Sequence, residues 1–159
     1  MKNIFFLLSL LLITGCVIYH DIGWRDYDAG EFVFKLPPDM KKVSAHGVDS
    51  YVLEFVGTNV ILRTEFGKFS EIPSTITDSR QSDFISHYGR INGEEVHINS
   101  FRRVPRGGNQ FDYNLLVNFS NRGLTFVGNC KAPSDYDTVV KIVRSTKFKT
   151  QFDKSVFER

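Results

Sequence analysis

Four histidines, two cysteines, one adjacent glutamate pair and one arginine cluster are the residues whose types can do chemistry. His20, His46, His87 and His97 stand at no metal-ligand spacing, and no cysteine pair completes a zinc site with them. A serine hydrolase of the α/β type places its nucleophile in a G-x-S-x-G elbow, and none is present. Glu94 and Glu95 are neighbours. In a strand they point to opposite faces and make a poor acid/base pair. Gly107-Gly108 stands without the rest of a phosphate-binding loop. No catalytic, metal or cofactor-binding residue is assigned, and no cofactor is expected. The cluster Arg102-Arg103-Val104-Pro105-Arg106-Gly107-Gly108 reads either as a solvated hairpin loop or as a contact to an anionic surface. Phospholipid, lipopolysaccharide, peptidoglycan carboxylates or an acidic protein would fit Arg102, Arg103 and Arg106. Near an anionic membrane each cation contributes about 1 kcal/mol, screened by salt. Nucleic acid is not an expected partner.

Cys16 carries different chemistry. Lys2 gives a positive start, Ile4 to Ile13 is apolar apart from Ser9, and small Gly15 precedes the cysteine. This is the architecture of a secretory signal. The apolar run falls short of the roughly 20 residues that span a bilayer. Ile13-Thr14-Gly15-Cys16 resembles a bacterial lipobox, in which the thiol accepts diacylglycerol. That resemblance implies a signal peptide over residues 1–15, a lipidated tether over 16–30 and one domain over 31–159. Two or more acyl chains anchor a protein stably, at about 0.8 kcal/mol per buried methylene. Val17, where retention in the inner membrane favours Asp, implies the outer membrane with the domain facing the periplasm.

Cleavage before Cys16 would leave 144 of 159 residues, one domain of ordinary size. Fifteen Phe and six Tyr supply a core without disulfide or metal. With Cys16 acylated, Cys130 is a lone thiol, expected to be buried. Residues 17–98 hold 13 acidic and 8 basic side chains, and residues 99–159 hold 5 and 11. The halves are expected to interleave, so that these charges mix.

The positioning elements follow from periodicity. Residues 17–30 are aperiodic, with Trp24 expected to pack on the domain. Glu31 to Leu36 alternates as a strand and stops at Pro37-Pro38. Asp39 to Gly47 reads as a loop or one helical turn. Asp49 to Val56 and Asn59 to Phe66 form a hairpin, with Gly57-Thr58 as a type II′ connection and Glu54 opposite Arg63. Asp78 to Tyr88 reads as a weak helix capped by Ser74 or Thr77, with Phe84, Ile85 and Tyr88 as its apolar stripe. Ile91 to Glu94 is a turn, and Glu95 to Phe101 a strand with Val96 and Ile98 on one face. Phe111 to Phe119 is the strongest strand. Leu124 to Cys130 returns beside it, placing the Cys130 sulfur on the apolar face. Ser134 to Lys147 is a helix with Ser134 as N-cap and Tyr136, Val139, Val140 and Val143 as its stripe.

These elements predict an α+β domain, an antiparallel β-sheet flanked by helices. Phe32-Val33-Phe34-Lys35-Leu36-Pro37-Pro38, Ile91-Asn92-Gly93 and the last helix running into Ser145-Thr146-Lys147-Phe148 resemble the PsbP/Mog1-like fold, including bacterial lipoproteins of the DcrB type. The resemblance spans residues 31–148. It implies a fold and no single activity, since such proteins include photosystem subunits, a small-GTPase partner and lipoproteins of unknown role.

The expectation is therefore an envelope lipoprotein acting as a non-enzymatic protein-binding module, with the membrane and an envelope protein as partners. An immunity lipoprotein that blocks a cell-wall-degrading toxin is the alternative within binding. A hydrolase or small-ligand carrier with an unrecognised site is the alternative from another class.

Overall fold

Strict alternation of apolar and polar residues makes strands, and strands dominate the computed structural model, which describes residues 23–47, 50–67, 81–103 and 111–149. In chain order they are β1 (Arg25–Asp28), β2 (Phe32–Leu36), β3 (Lys41–Val43), β4 (Tyr51–Val56), β5 (Val60–Phe66), β6 (Gln81–Ile91), β7 (Glu94–Arg103), β8 (Tyr113–Phe119), β9 (Leu124–Cys130) and β10 (Lys147–Phe148). One α-helix, α1 (Tyr136–Arg144), is present among the described residues. Seven strands form one sheet in the order β3-β4-β5-β9-β8-β7-β6, and β1-β2-β10 form a second. Neighbouring strands are antiparallel throughout.

The core lies between one face of the large sheet and a layer made of the small sheet and α1. Phe32, Phe34 and Leu36 alternate inward from β2 and are fully buried. They meet Leu53 and Phe55 of β4, Val60 and Leu62 of β5, Leu124 and Phe126 of β9, and Val117 and Phe119 of β8. Edge-on ring pairs recur, as in Phe34–Phe126 at 5.6 Å and Tyr27–Phe55 at 4.8 Å between centroids. This geometry suits the ring quadrupoles. Helix α1 presses Val139, Ile142 and Val143 into the same core. Gly128 lets it approach β9: a methyl group there would stand 2.5 Å from Val139 Cγ2. Trp24 packs against the core, as the sequence leads one to expect.

Several local expectations change. "Flanked by helices" overstates the helical layer, which among the described residues is one helix of nine residues. Residues 81–88, read as helix, belong to strand β6. Phe84, Ile85 and Tyr88 fit a helical stripe, but the Asn92-Gly93 turn that follows folds the segment back on β7. Asn92 and Gly93 both have positive φ, 54° and 84°, as a type I′ hairpin turn demands. The rest of that helix and its caps, Asp78 to Arg80 with Ser74 and Thr77, lie outside the described residues. The β4–β5 turn sits one residue later than the sequence suggests. Val56 pairs with Ile61 and Gly57 N–H donates to Val60 O at 2.9 Å, so Thr58-Asn59 are the turn residues, with ordinary negative φ. Asp39 Oδ2 accepts the Thr58 N–H at 2.8 Å and holds the turn without a primed geometry.

Two further corrections concern chain ends of elements. Ser134 does not cap α1; it sits exposed within a 3₁₀ turn, Pro133–Asp135. Asp135 closes that 3₁₀ turn by accepting the Ala132 N–H at 3.0 Å, and no side chain caps the first turn of α1. Lys147, read as the helix's last residue, begins β10. The loop reading of Asp39 to Gly47 misses β3.

Candidate functional site

Strand β6 is the edge of the large sheet, and its neighbourhood holds the one histidine among the described residues that the fold brings into a polar cluster. His97 of β7 lies directly across from Tyr88 of β6. Their rings stack at 4.4 Å with an interplanar angle of 11°. Ser86 Oγ stands 2.8 Å from His97 Nε2. His97 itself is buried on the sheet face remote from α1, whereas Ser86 and Tyr88 are exposed. The arrangement has the first two members of a nucleophile–base relay. No carboxylate bonds to His97 among the described residues, so the third member that would orient the imidazole is missing.

The remaining candidates separate. His46 and His87 are exposed on different elements, and His20 lies outside the described residues. Among the described residues no group of three His, Cys, Asp or Glu side chains can hold a metal. Glu94 bonds Arg122 through Nε at 3.0 Å and through a second guanidinium nitrogen. Glu95 reaches Arg90 at 3.4 Å instead. The two carboxylates therefore serve different arginines. Arg122 also covers the Phe148 ring at 4.7 Å, which ties β10 to the turn after β8. Glu54 and Arg63 are opposite in register, but Arg63 bonds Glu65 at 2.6 Å.

Cys130 is buried, and burial with the nearby Asp135 charge pushes its thiol up to about 12. A thiol so protonated is neither nucleophile nor ligand at neutral pH. Tyr136 is likewise raised to about 12, chiefly by burial, and its hydroxyl donates to Asn114 O at 3.1 Å.

Arg102 and Arg103 are exposed at the end of β7. Successive strand residues face opposite ways. Arg102 lies over the Tyr113 ring at 5.4 Å, while the Arg103 backbone N–H bonds Asp112 O at 2.8 Å. The cluster is thus split between two faces of the sheet, and Arg106 lies outside the described residues.

What the edge offers is polypeptide surface. From Ser82 to Tyr88 every side chain is exposed. Tyr88 is 78% exposed, Ile85 61% and Phe84 37%. Among the described residues nothing pairs with the outer side of β6. Its backbone is irregular only near its start, where Asp83 has φ 56° and the register shifts between Ser82 and Ile85. Edges are normally blunted by bulges, charges or proline. Here the bulge guards the start, and Ile85 to Gly89 carries no Lys, Asp, Glu or Pro. Sequence reasoning missed this surface because it took the segment for a helix. The signal that finds it is the Asn-Gly turn flanked by alternating residues on both sides.

No protein-family model and no curated protein matches the chain. Among solved structures, the solution structure of cyanobacterial PsbP (CyanoP) from Synechocystis sp. PCC 6803 matches with a TM-score of 0.54 at 17% identity, over 84% of this chain and 96% of that chain. At that identity the likeness is one of fold, and the chain has a PsbP-like fold. Asn92 of the Ile91-Asn92-Gly93 stretch has a structural task in it. Its Nδ2 donates to Arg144 O at 2.7 Å and Thr146 O at 3.0 Å, closing the C-terminal end of α1.

Proposed function

We propose that this protein is a lipid-anchored, non-enzymatic binding module of the bacterial envelope, held to the outer membrane through Cys16 and engaging a protein with its domain. The observation that carries the reading is the open edge of β6, with Phe84, Ile85 and Tyr88 exposed along it. A row of backbone N–H and C=O groups with apolar side chains beside it is matched by another polypeptide strand. A small ligand would instead need a concave pocket with converging polar groups. The lipobox stretch Ile13-Thr14-Gly15-Cys16 supports the anchor.

The test is crosslinking in intact envelopes followed by affinity capture and mass spectrometry, with three chains compared. The unsubstituted chain, tagged and co-expressed with an untagged copy available as a partner, should recover one dominant protein species. Cys16→Ala should leave the membrane and lose most of it. Tyr88→Lys, which puts a charge on the edge, should stay in the membrane and lose it too. Membrane partition of Cys16→Ala unchanged from wild type would sink the anchor. An unchanged capture by Tyr88→Lys would sink the edge as the binding surface.

A further inference from the structure

We infer that the polypeptide completing the β6 edge is β6 of a second copy of this chain, paired antiparallel about a two-fold axis at Ser86. The inference rests on the reading above that β6 is the binding surface and names its occupant.

Symmetry restricts the register. Two identical edges can run antiparallel in one continuous sheet only about an axis perpendicular to that sheet. Such an axis returns each face to itself, so residues that oppose each other must lie on the same face of their own strands. They are therefore separated by an even number of positions. Ser86 and Tyr88 share the face of Asn99 and His97, which are their partners on β7. Asp83 and Phe84 together oppose Phe101 in the bulge, and alternation along β7 puts Phe101 on the face of Asn99 and His97, so Phe84 shares that face, while Ile85 and His87 fall on the other.

Centring the axis on Ser86 sets Phe84 against Tyr88 of the second copy, twice. It also sets Ile85 against its His87. All three exposed large apolar side chains of β6 gain a partner ring. Aromatic–aromatic and aromatic–branched pairs are the favourable cross-strand combinations. Centring on His87 instead puts two imidazoles face to face, leaves Ile85 opposite Gly89 and sets Phe84 against Arg90.

The anchor agrees with this axis. The chain enters the fold at Gly23, beside Pro38, and runs into β1, which lies in the layer on the α1 side of the large sheet. An axis perpendicular to the sheet puts both such layers on one side of the doubled sheet. Both tethers then leave toward the same side, as two acylated copies in one membrane require.

The register predicts a disulfide. Opposed residues of an antiparallel pair have Cα atoms about 4.5–5.5 Å apart, inside the roughly 4.4–6.8 Å that a disulfide bridges. The full chain carrying Ser86→Cys, oxidised mildly in its own membrane, should run mainly as a disulfide-linked homodimer. Ser134→Cys, exposed at the start of the α1 region, should not exceed background. Differently tagged chains carrying Phe84→Cys and Tyr88→Cys should link to each other. In detergent, Ile85→Lys should weaken self-association on the order of tenfold through its two symmetric positions.

No Ser86→Cys dimer above the Ser134→Cys level would overturn the pairing. So would a Ser86→Cys adduct to a different protein, which would leave β6 as a binding edge and reassign its occupant. A dimer in the unsubstituted chain would report a Cys16 thiol without lipid. That result sinks the anchor alone, and Cys16→Ser then clears the background for the same Ser86→Cys readout.

Discussion

Strands β5 and β6 belong to one sheet and are held by different forces. In β5, Val60, Leu62 and Thr64 are buried, and flanking strands β4 and β9 pair with it on both sides. In β6 no described side chain is buried, and among the described residues it pairs with β7 alone. Burial of a large apolar side chain stabilises by about 1.5–3 kcal/mol. Strand β5 draws on that term repeatedly. Strand β6 depends on a tight turn and one ladder. The middle of this sheet holds the fold, whereas β6 is its edge among the described residues and contributes little buried surface.

The largest expected effect comes from the middle. Phe34→Ala removes a fully buried ring that contacts Tyr27, Phe32, Phe55 and Phe126. Denaturant unfolding should record a loss of about 3–5 kcal/mol. Gly128→Ala should cost about 1–3 kcal/mol by forcing α1 away from β9, and Gly128→Ser should be no better. A neutral result would mean that α1 sits loosely on the sheet.

Asn92→Ala links the two regions. It places a side chain with a Cβ but no amide at a φ of 54° and frees two carbonyls at the end of α1. A loss of about 1–2 kcal/mol is expected. Amide exchange should speed in β6 and β7 before it does in β5 and β9, and the reverse order would erase the contrast between the two strands.

In detergent, at a dilution where the chain is monomeric, Tyr88→Ser should change stability by no more than about 0.5 kcal/mol, the usual range for surface substitutions. If it matched Phe34→Ala in cost, β6 would be core and the binding edge would be lost as an idea.

The smallest effect concerns acid. Asp28 bonds Lys149 at 2.7 Å and accepts the Gly30 N–H at 2.9 Å, and these bonds, Lys149 first, lower its carboxyl from the ordinary value. A depressed carboxyl contributes stability above its unfolded pKa of about 3.9 and loses it as pH falls through the lower folded value. Asp28→Asn should flatten that acid limb slightly in unfolding titrations. Because the pair lies at the surface, salt should flatten it as well.

Much of the middle was legible in the sequence. Phe32, Phe34 and Leu36 alternate cleanly, as do Leu115, Val117 and Phe119, and both strands form where the alternation places them, starting one residue later at Phe32 and two residues later at Tyr113. Cys130 was legible for the same reason, since alternation with Leu124 and Phe126 puts its sulfur on the apolar face. The candidate edge was not. Phe84, Ile85 and Tyr88 satisfy a helical and an extended reading alike, and only the ladder with β7 decides between them. Strands β1 and β3 escaped notice because three or four residues are too few to display a period.

Alternation therefore determined the core strands and the burial of Cys130, and Asn92-Gly93 marked a turn, because each is a local demand of backbone geometry on side-chain type. Tertiary structure alone decided that β6 is an edge, that His97 meets Ser86 and Tyr88, and that Arg102 parts from Arg103. Those facts depend on which strand lies beside which and on how many pairing sides are filled. Neither is encoded in the spacing of residues along one segment.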